Sequence, residues 1–421
     1  MDQIGGATEA VDYAFLNYSG CLKILYHICA LKRITAFLFF NLILRFLARF
    51  RDIMNLIVLV HSLMGFLVPK RYITLKYKCL TRFFAQGRVL ILMRDAVLNM
   101  LLDNLGNFVS GEDISRRLGI TRAAVWKYIR LLQNQGYVIE SSTKKGYCLR
   151  QVPDILDEAL LVRGLNTSLL GRNVEIHSSI GSTNARAKEL ALNGAPEGTV
   201  VIADEQVQGR GRLGRSWVSP SGKGIWMSVI LRPRLSSQQV PRITIMTAVA
   251  VANALKRSAQ IEVGIKWPND IVCGGKKLCG ILTEVHAEPE VIHYAVVGIG
   301  LNVNLSLEDF PDDIKDLATS LRIEKGKEFH RVDIIKAILQ EMEKGYLQKL
   351  NDDGFAELLK EYERRSVILG KRVRVIGVGG EFSGYAEGFG EDGSLMLRLD
   401  DGCLERILAG DVSIRGESGY V

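Results

Sequence analysis

The sequence predicts an α+β protein of several domains. Residues 93–136 place apolar side chains at helical spacing and break at tight glycine turns. From 158 to 365, strand and helix patterns alternate, as expected of a mixed α/β domain. From 366 to 421, short strands separated by Gly-Asp turns predict a small β-barrel. A length of 421 residues suits about three domains at roughly 150 residues each. The 48% apolar and 24% charged content is ordinary for a chain that builds cores.

The net charge of +8 suggests a nucleic-acid partner until it is mapped. Residues 1–92 hold twelve of the 54 Lys/Arg and four of the 46 Asp/Glu, which leaves 42 of each sign in 93–421. Any anion site after residue 92 must therefore be built locally. The same N-terminal stretch carries two apolar runs, ITAFLFFNLIL (34–44) and IMNLIVLVHSLMGFLVP (53–69). The second reaches only the lower edge of a membrane span and contains Asn55, His61, Ser62 and Pro69. It reads either as a membrane-associated segment or as sequence outside the working protein, with Met93 the true start; the second reading is favoured. A signal peptide is disfavoured, because its apolar region should sit nearer the N-terminus. The seven cysteines are dispersed, without a CxxC pair or Cys/His cluster. They predict reduced thiols, no metal site and a cytoplasmic setting.

In RDAVLNMLLDNLG (94–106), Val97, Leu98, Leu101, Leu102 and Leu105 form a helix face ending at Gly106. Ser110 with Asp113 resembles a capping box for a helix to Leu118, after which Gly119 turns the chain. Thr121 caps a third helix that turns Val125, Ile129 and Leu132 inward and shows Arg122, Trp126, Lys127 and Arg130 outward. YVIE and GYCL follow as strands around a basic tip, Lys144–Lys145. Three helices and a hairpin make a winged helix-turn-helix over 93–150. Gly111, Thr121, Arg122, Trp126, Lys127, Arg130, Lys144 and Lys145 are its candidate DNA-contacting residues. A helical protein-interaction module is the plainer alternative.

QVPDILDE (151–158) reads as a linker, with Pro153 ending the hairpin. Beyond it NARAKELALNG and PRITIMTAVAVANALKRS read as helices. TVVIAD, IWMSVILRP, VGIKW, LCGILTEV and YAVVGIGLNV read as strands. Between TVVIAD and IWMSVILRP lies GRGRLGRSW (209–217). Glycine loses the most conformational freedom on ordering, and arginine resists burial unless paired. Such a loop is offset by an anion that its amides and guanidinium groups can hold. No GxxxxGK[ST] occurs, and VVGIGLNVN opens no helix and lacks a third glycine. A P-loop and a dinucleotide fingerprint are therefore rejected, and Gly298 and Gly300 are expected to let a ligand approach the backbone.

Alone, GRGR would pass for a solvated basic loop. Three companions change that: GSTN at 181–184, DEQVQ at 204–208, and KWPND at 266–270 followed by GGKKLCGILTE. With them, residues 93–415 closely resemble the biotin protein ligases, in the bifunctional form that also represses the biotin operon. The resemblance implies the winged helix at 93–150, the catalytic domain at 158–365 and an SH3-like barrel at 366–421. Residues 1–92 have no counterpart.

The resemblance also implies the chemistry. Biotin and ATP, with Mg²⁺ on the triphosphate, give biotinyl-5′-adenylate, and biotin then passes to a lysine of the biotin carboxyl carrier protein. Arg210, Gly211 and Arg212 would close over biotin and adenylate, and Lys277 would bridge the carboxylate and α-phosphate. Ser182, Thr183, Asn184 and Gln206 would line the biotin pocket. Trp217 would stack on adenine, and Asn269 and Asn302 would lie on the nucleotide side. Operator DNA and a homodimer formed on adenylate binding complete the implied partners. Against these stand Trp217 as packing, Lys276 in place of Lys277, and Asn269 as a turn residue. Leu213 and Ser216 stand where the family often has basic residues, which leaves the core GRG-R intact but gives no support for a phosphate contact from those two positions. A lipoyl-type ligase and a non-enzymatic biotin-sensing regulator are the rival functions.

Overall fold

The structure is a computed structural model that describes residues 92–350, 352–377, 380–409 and 412–416. The apolar runs at 34–44 and 53–69 lie outside the described residues. No helix among the described residues is long and apolar enough to cross a membrane. Two compact units are formed: 92–135 with 139–150, and 136–138 with the described residues from 151 onward.

The first unit has three helices, α1 (described over 92–102), α2 (Gly111–Leu118) and α3 (Arg122–Asn134), then a hairpin of β1 (Val138–Ser142) and β2 (Gly146–Gln151). Val97, Leu98, Leu101, Ile114, Val125, Ile129 and Leu132 are buried together with Leu149 of the hairpin. Each such side chain stabilises by about 1.5–3 kcal/mol on burial. Two expectations are corrected. Leu105 is exposed, because α1 stops a turn before Gly106, where the Asn104 side chain donates to the Met100 carbonyl. Ser110 does cap α2, but it accepts from the Glu112 N–H, while Asp113 pairs with Arg116 one turn on. The Thr121 cap of α3 is present, its hydroxyl accepting from Ala124 N–H at 3.2 Å.

The second unit is built on a seven-stranded sheet in the order β3-β4-β5-β9-β8-β7-β6. Its strands are β3 (Val174–Ile180), β4 (Val200–Gln206), β5 (Gly224–Leu231), β6 (Gly264–Lys266), β7 (Asp270–Cys273), β8 (Lys276–Glu288) and β9 (Val291–Asn302). Only β3 and β4 run parallel. All eight residues of β5 are buried, so GIWMSVIL reads as a continuous run, as expected where both faces of a strand are covered.

A short helix, α4 (Glu158–Val162), enters the unit, and α5 (Thr183–Leu192) packs Ala187 and Ala191 on Val201, Ile230 and Val296. The long helix α6 (Val240–Ser258) is buried along most of its length, against β8 and two helices the sequence reading left unassigned. Those are α8 (Arg331–Gln348) and α9 (Asp352–Arg365), with α7 (Leu321–Lys325) before them. Strands β10 (Arg372–Gly377), β11 (Gly380–Phe389), β12 (Leu395–Leu399), β13 (Leu404–Ile407) and β14 (Val412–Gly416) form an antiparallel sheet in the order β13-β12-β11-β10-β14. Among the described residues β13 and β14 are its open edges, not a closed barrel seam. This sheet sits in the same unit as the seven-stranded one, where the Trp267 indole donates to the Gly393 carbonyl at 3.0 Å.

Residues 151–158 are tied down. Asp154 accepts from the Arg331 backbone N–H and Nε at 2.8 and 2.9 Å, and from Asn304 at 3.1 Å. The same buried Arg331 donates to Asp204 at the end of β4 and to the Gly224 carbonyl. A buried guanidinium is tolerable only with its donors this fully engaged.

Candidate active site

Ser182, Thr183 and Asn184 meet the site as the cap and first turn of α5, and Gln206 meets it as the last residue of β4. Their polar groups form one network. Gln206 Oε1 accepts from the Thr183 N–H and hydroxyl at 2.9 and 3.0 Å, and its amide nitrogen donates to Ser219. The amide of Asn184 donates to Glu284 at 2.8 Å and to the Leu282 carbonyl, while its oxygen accepts from Ser228 at 2.6 Å. A fully engaged polar network fixes side-chain orientation, because any unpaired member would be costly to bury. Gly298 makes room for it: a Cβ there would fall 2.2 Å from the Asn184 oxygen.

The loop 209–217 folds back on itself. Arg210 bridges to Ser216, Gly211 N–H donates to the Arg215 carbonyl at 2.7 Å, and Trp217 N–H donates to Gly209 at 2.9 Å. Arg212 leaves this turn to donate to Asn269 Oδ1 at 3.0 Å and to the Ala409 carbonyl at 2.6 Å. Asn269 holds its own place by donating to the Ile281 carbonyl at 2.9 Å. Trp217 lies against Gly280 and Gly300; a Cβ on Gly300 would come within 2.6 Å of its indole nitrogen. That nitrogen is buried without a hydrogen-bond partner.

Lys277 follows the Gly274–Gly275 turn, whose φ values of +55° and +77° suit glycine and close a two-residue hairpin between β7 and β8. Its backbone pairs with the segment at Leu317 and Thr319. Its ammonium sits 2.8 Å from Asp270 Oδ1 and 5.1 Å from the centre of the Trp217 ring. Asn302, at the end of β9, is buried and donates to the Thr319 carbonyl at 3.0 Å.

All these parts open on one cavity of about 470 Å³, a size that suits a nucleotide or small cofactor. Its walls include Ser182, Thr183, Asn184, Gln206, Arg210, Gly211, Arg212, Trp217, Asn269, Lys277 and Asn302. Every residue assigned to the small-molecule site from sequence is thus brought to one place. Lys277 rather than Lys276 lines it. The expected ligand approach at Gly298 and Gly300 takes another form: those positions receive the Asn184 amide and the Trp217 indole.

In the first unit, Arg122, Trp126, Lys127 and Arg130 are exposed on α3, as are Lys144 and Lys145 at the hairpin tip. Arg130 stacks over Trp126 at 5.5 Å, and Arg122 pairs with Glu112. Thr121 spends its hydroxyl on the α3 cap, and Gly111 opens α2 beside the Tyr147 ring.

Comparison with known proteins agrees with both units. Residues 177–302 match the Biotin/lipoate A/B protein ligase family, 94–148 an HTH domain, and 368–415 the Biotin protein ligase C terminal domain. The chain is 41% identical over 315 residues to the Bifunctional ligase/repressor BirA of Bacillus subtilis, covering 75% of this chain and 96% of that one. The chain belongs to the bifunctional biotin ligase/repressor family. A second member, BirA of Escherichia coli, is 26% identical over 74% of this chain and 94% of its own. Among solved structures, a biotin protein ligase from Aquifex aeolicus in complex with biotin and ATP aligns with a TM-score of 0.51. It is 31% identical, and the alignment covers 58% of this chain and 100% of that one.

The ligase cavity also holds charged residues that the sequence reading passed over: Arg215, Lys266, Asp270 and Arg415. Lys266 and Asp270 stand inside KWPND, so the motif itself carries them. Arg415 comes from the last strand, and nothing local in the sequence links it to the cavity. Ser228, within a strand read only as core, orients Asn184 and Thr183.

Proposed function

We propose that this chain is an ATP-dependent biotin protein ligase that also acts as a DNA-binding repressor of biotin synthesis genes. The biotin carboxylate attacks the ATP α-phosphorus, pyrophosphate leaves, and biotinyl-5′-adenylate remains. The amine of a lysine on the biotin carboxyl carrier protein of acetyl-CoA carboxylase then attacks the acyl carbon, and AMP departs. The observation that supports this most is the convergence of Lys277, Arg210, Arg212 and Arg215 on a cavity also walled by the Thr183–Gln206 network. Two anions brought together need fixed cations, and preorganised donors stabilise charge as it develops.

In this reading Ser182, Thr183, Asn184 and Gln206 surround biotin, and Arg210, Gly211 and Arg212 close over it. Trp217, Asn269 and Asn302 face the nucleotide. Lys277 bridges carboxylate and phosphate by leaving Asp270, as a compact and mobile ammonium can. Because Asp270 is committed to a cation and a second wall carboxylate, Asp313, is exposed, the described walls of the cavity offer Mg²⁺ no closed cage. Mg²⁺ would ride on the triphosphate, as it commonly does.

The domains would run 93–150, 158–365 and 366–421, the last an SH3-like barrel completed around the five-stranded sheet. Residues 93–150 would form a winged helix-turn-helix that reads operator DNA through Gly111, Thr121, Arg122, Trp126, Lys127, Arg130, Lys144 and Lys145. A homodimer formed on adenylate binding would present two such units to a two-half-site operator. The described cysteines are all free, which suits a cytoplasmic setting. Incubation with labelled biotin, ATP-Mg²⁺ and a carrier domain should label the carrier. Labelling by lipoate but not by biotin would replace this reading.

A further inference from the structure

Glu284 is not among the described walls of the ligase cavity, yet it is bonded to one of them. It stands on β8, two residues beyond Leu282, where that strand last meets the cavity. Its two oxygens are used separately. Oε2 accepts from the Asn184 amide at 2.8 Å, and Oε1 accepts from the Lys188 ammonium at 2.7 Å. Asn184 and Lys188 lie four residues apart on α5, so both reach the carboxylate from one helix face. Asn184 is buried, and the two ends of its carboxamide are alike in shape but opposite in hydrogen-bonding sense. Its partners decide which end points where. The nitrogen meets two acceptors, the Glu284 carboxylate and the Leu282 carbonyl at 3.3 Å. The oxygen accepts from the buried Ser228 hydroxyl at 2.6 Å, and Ser228 lies 2.8 Å from the Thr183 hydroxyl, which bonds Gln206. Of these partners Glu284 holds the amide hardest, because a bond to an ionised acceptor is roughly twice as strong as a neutral one. Without it, the nitrogen end keeps only the 3.3 Å contact to Leu282.

We propose that Glu284 is a positioning residue for the biotin half of the site and acts through Asn184. This rests on the proposed ligase function and deepens it. Side chains that meet a ligand keep their geometry only when the groups behind them lock their rotamers. Glu284 fixes the sense of the Asn184 amide, the amide orients the Ser228 hydroxyl, and Ser228 steadies Thr183. The ring of biotin is an uncharged cyclic urea, with N–H donors beside a carbonyl acceptor. Its recognition therefore depends on which way the donors and acceptors of the wall point. Asn269 and Asn302, on the proposed nucleotide side, bond instead to the Ile281 and Thr319 carbonyls. Loss of Glu284 thus falls on biotin and spares ATP.

The test is the rate of adenylate formation by the full chain, with biotin and ATP varied in turn. Glu284→Met removes both acceptors and should raise the KM for biotin about tenfold, as loss of a bond to a charged group does. The KM for ATP and kcat should stay near the wild-type values. Glu284→Gln should restore the biotin KM, because the partly exposed Lys188 can turn to solvent and leave the one remaining oxygen to Asn184. In an Asn184→Ala background, Glu284→Met should add no further loss. If Glu284→Met does not fold, Glu284→Thr takes its place, since threonine suits a strand and is too short to reach Asn184. An unchanged biotin KM, or an equal rise for both substrates, overturns the proposal and leaves the ligase reading standing. So do a Gln variant as poor as Met, which would put the effect in the Lys188 ion pair, and losses that add in the double variant. A wild-type chain that forms no adenylate from biotin overturns the ligase reading itself.

Discussion

Lys277 and Asp270 form an ion pair of 2.8 Å on adjacent strands, with the Trp217 ring 5.1 Å from the same ammonium. The pair holds the lysine in place on the cavity wall. In the proposed reaction a carboxylate and a phosphate entering together would offer it more negative charge than Asp270 does.

Lys277→Ala should lower biotin adenylation by about two to three orders of magnitude, as loss of one preorganised donor commonly does. The thermal midpoint should hardly move, since the side chain contributes little to the core. Lys276→Ala should retain activity, because Lys276 is not among the cavity walls. Steady-state rates of the two variants check this; the reverse ranking would show that the neighbouring lysine carries the chemistry.

Gly300→Ala should weaken nucleotide binding more than biotin binding. The added methyl would lie 2.6 Å from the Trp217 indole nitrogen, and the indole must swing out of its place. Separate binding titrations with biotin and with ATP provide the comparison. Equal losses for both ligands would mean that the damage is general.

Glu343 makes stability depend on acid. This nearly buried carboxylate accepts from the backbone N–H groups of Ser168, Leu169 and Leu170 at 2.6, 2.7 and 2.8 Å. Burial pushes its pKa up, but those N–H bonds outweigh it and hold the folded value below the ordinary one. With the folded pKa lowered, the stabilisation is complete above the unfolded value near 4.3 and is lost as pH falls through the folded one. Glu343→Gln should cost about 1–3 kcal/mol at neutral pH and flatten the acid limb. Denaturant melts from neutral pH downward measure both.

DNA binding should require biotin with ATP and should weaken when unmodified carrier is added. One helix-turn-helix unit contacts too little DNA for strong specificity, and charge neutrality after residue 92 supplies no broad field to help a monomer. Removal of residues 1–150 should abolish the gel shift and spare part of the ligase activity. A shift produced by ligand-free monomer would end the switch while leaving the enzyme intact.

Much of this was legible in the sequence because the relevant signals are local. The α3 face, the GRGRLGRSW loop and the GGK turn each declare themselves within about ten residues. Helices α8 and α9 carry no motif of their own, and their apolar spacing is ordinary. Leu105 departs from the periodic face because the helix stops before it, where the Asn104 side chain bonds the Met100 carbonyl, and periodicity does not register that. Contacts such as Arg212 to Ala409 join positions almost two hundred residues apart, and no window of sequence contains them.

Biotin-dependent exchange of labelled pyrophosphate into ATP tests the central claim most directly, because it reports formation and reversal of the adenylate without carrier or DNA. Exchange that needs biotin, ignores lipoate and collapses in Lys277→Ala is the predicted result. Exchange supported by lipoate alone, or undiminished in Lys277→Ala, would contradict the account.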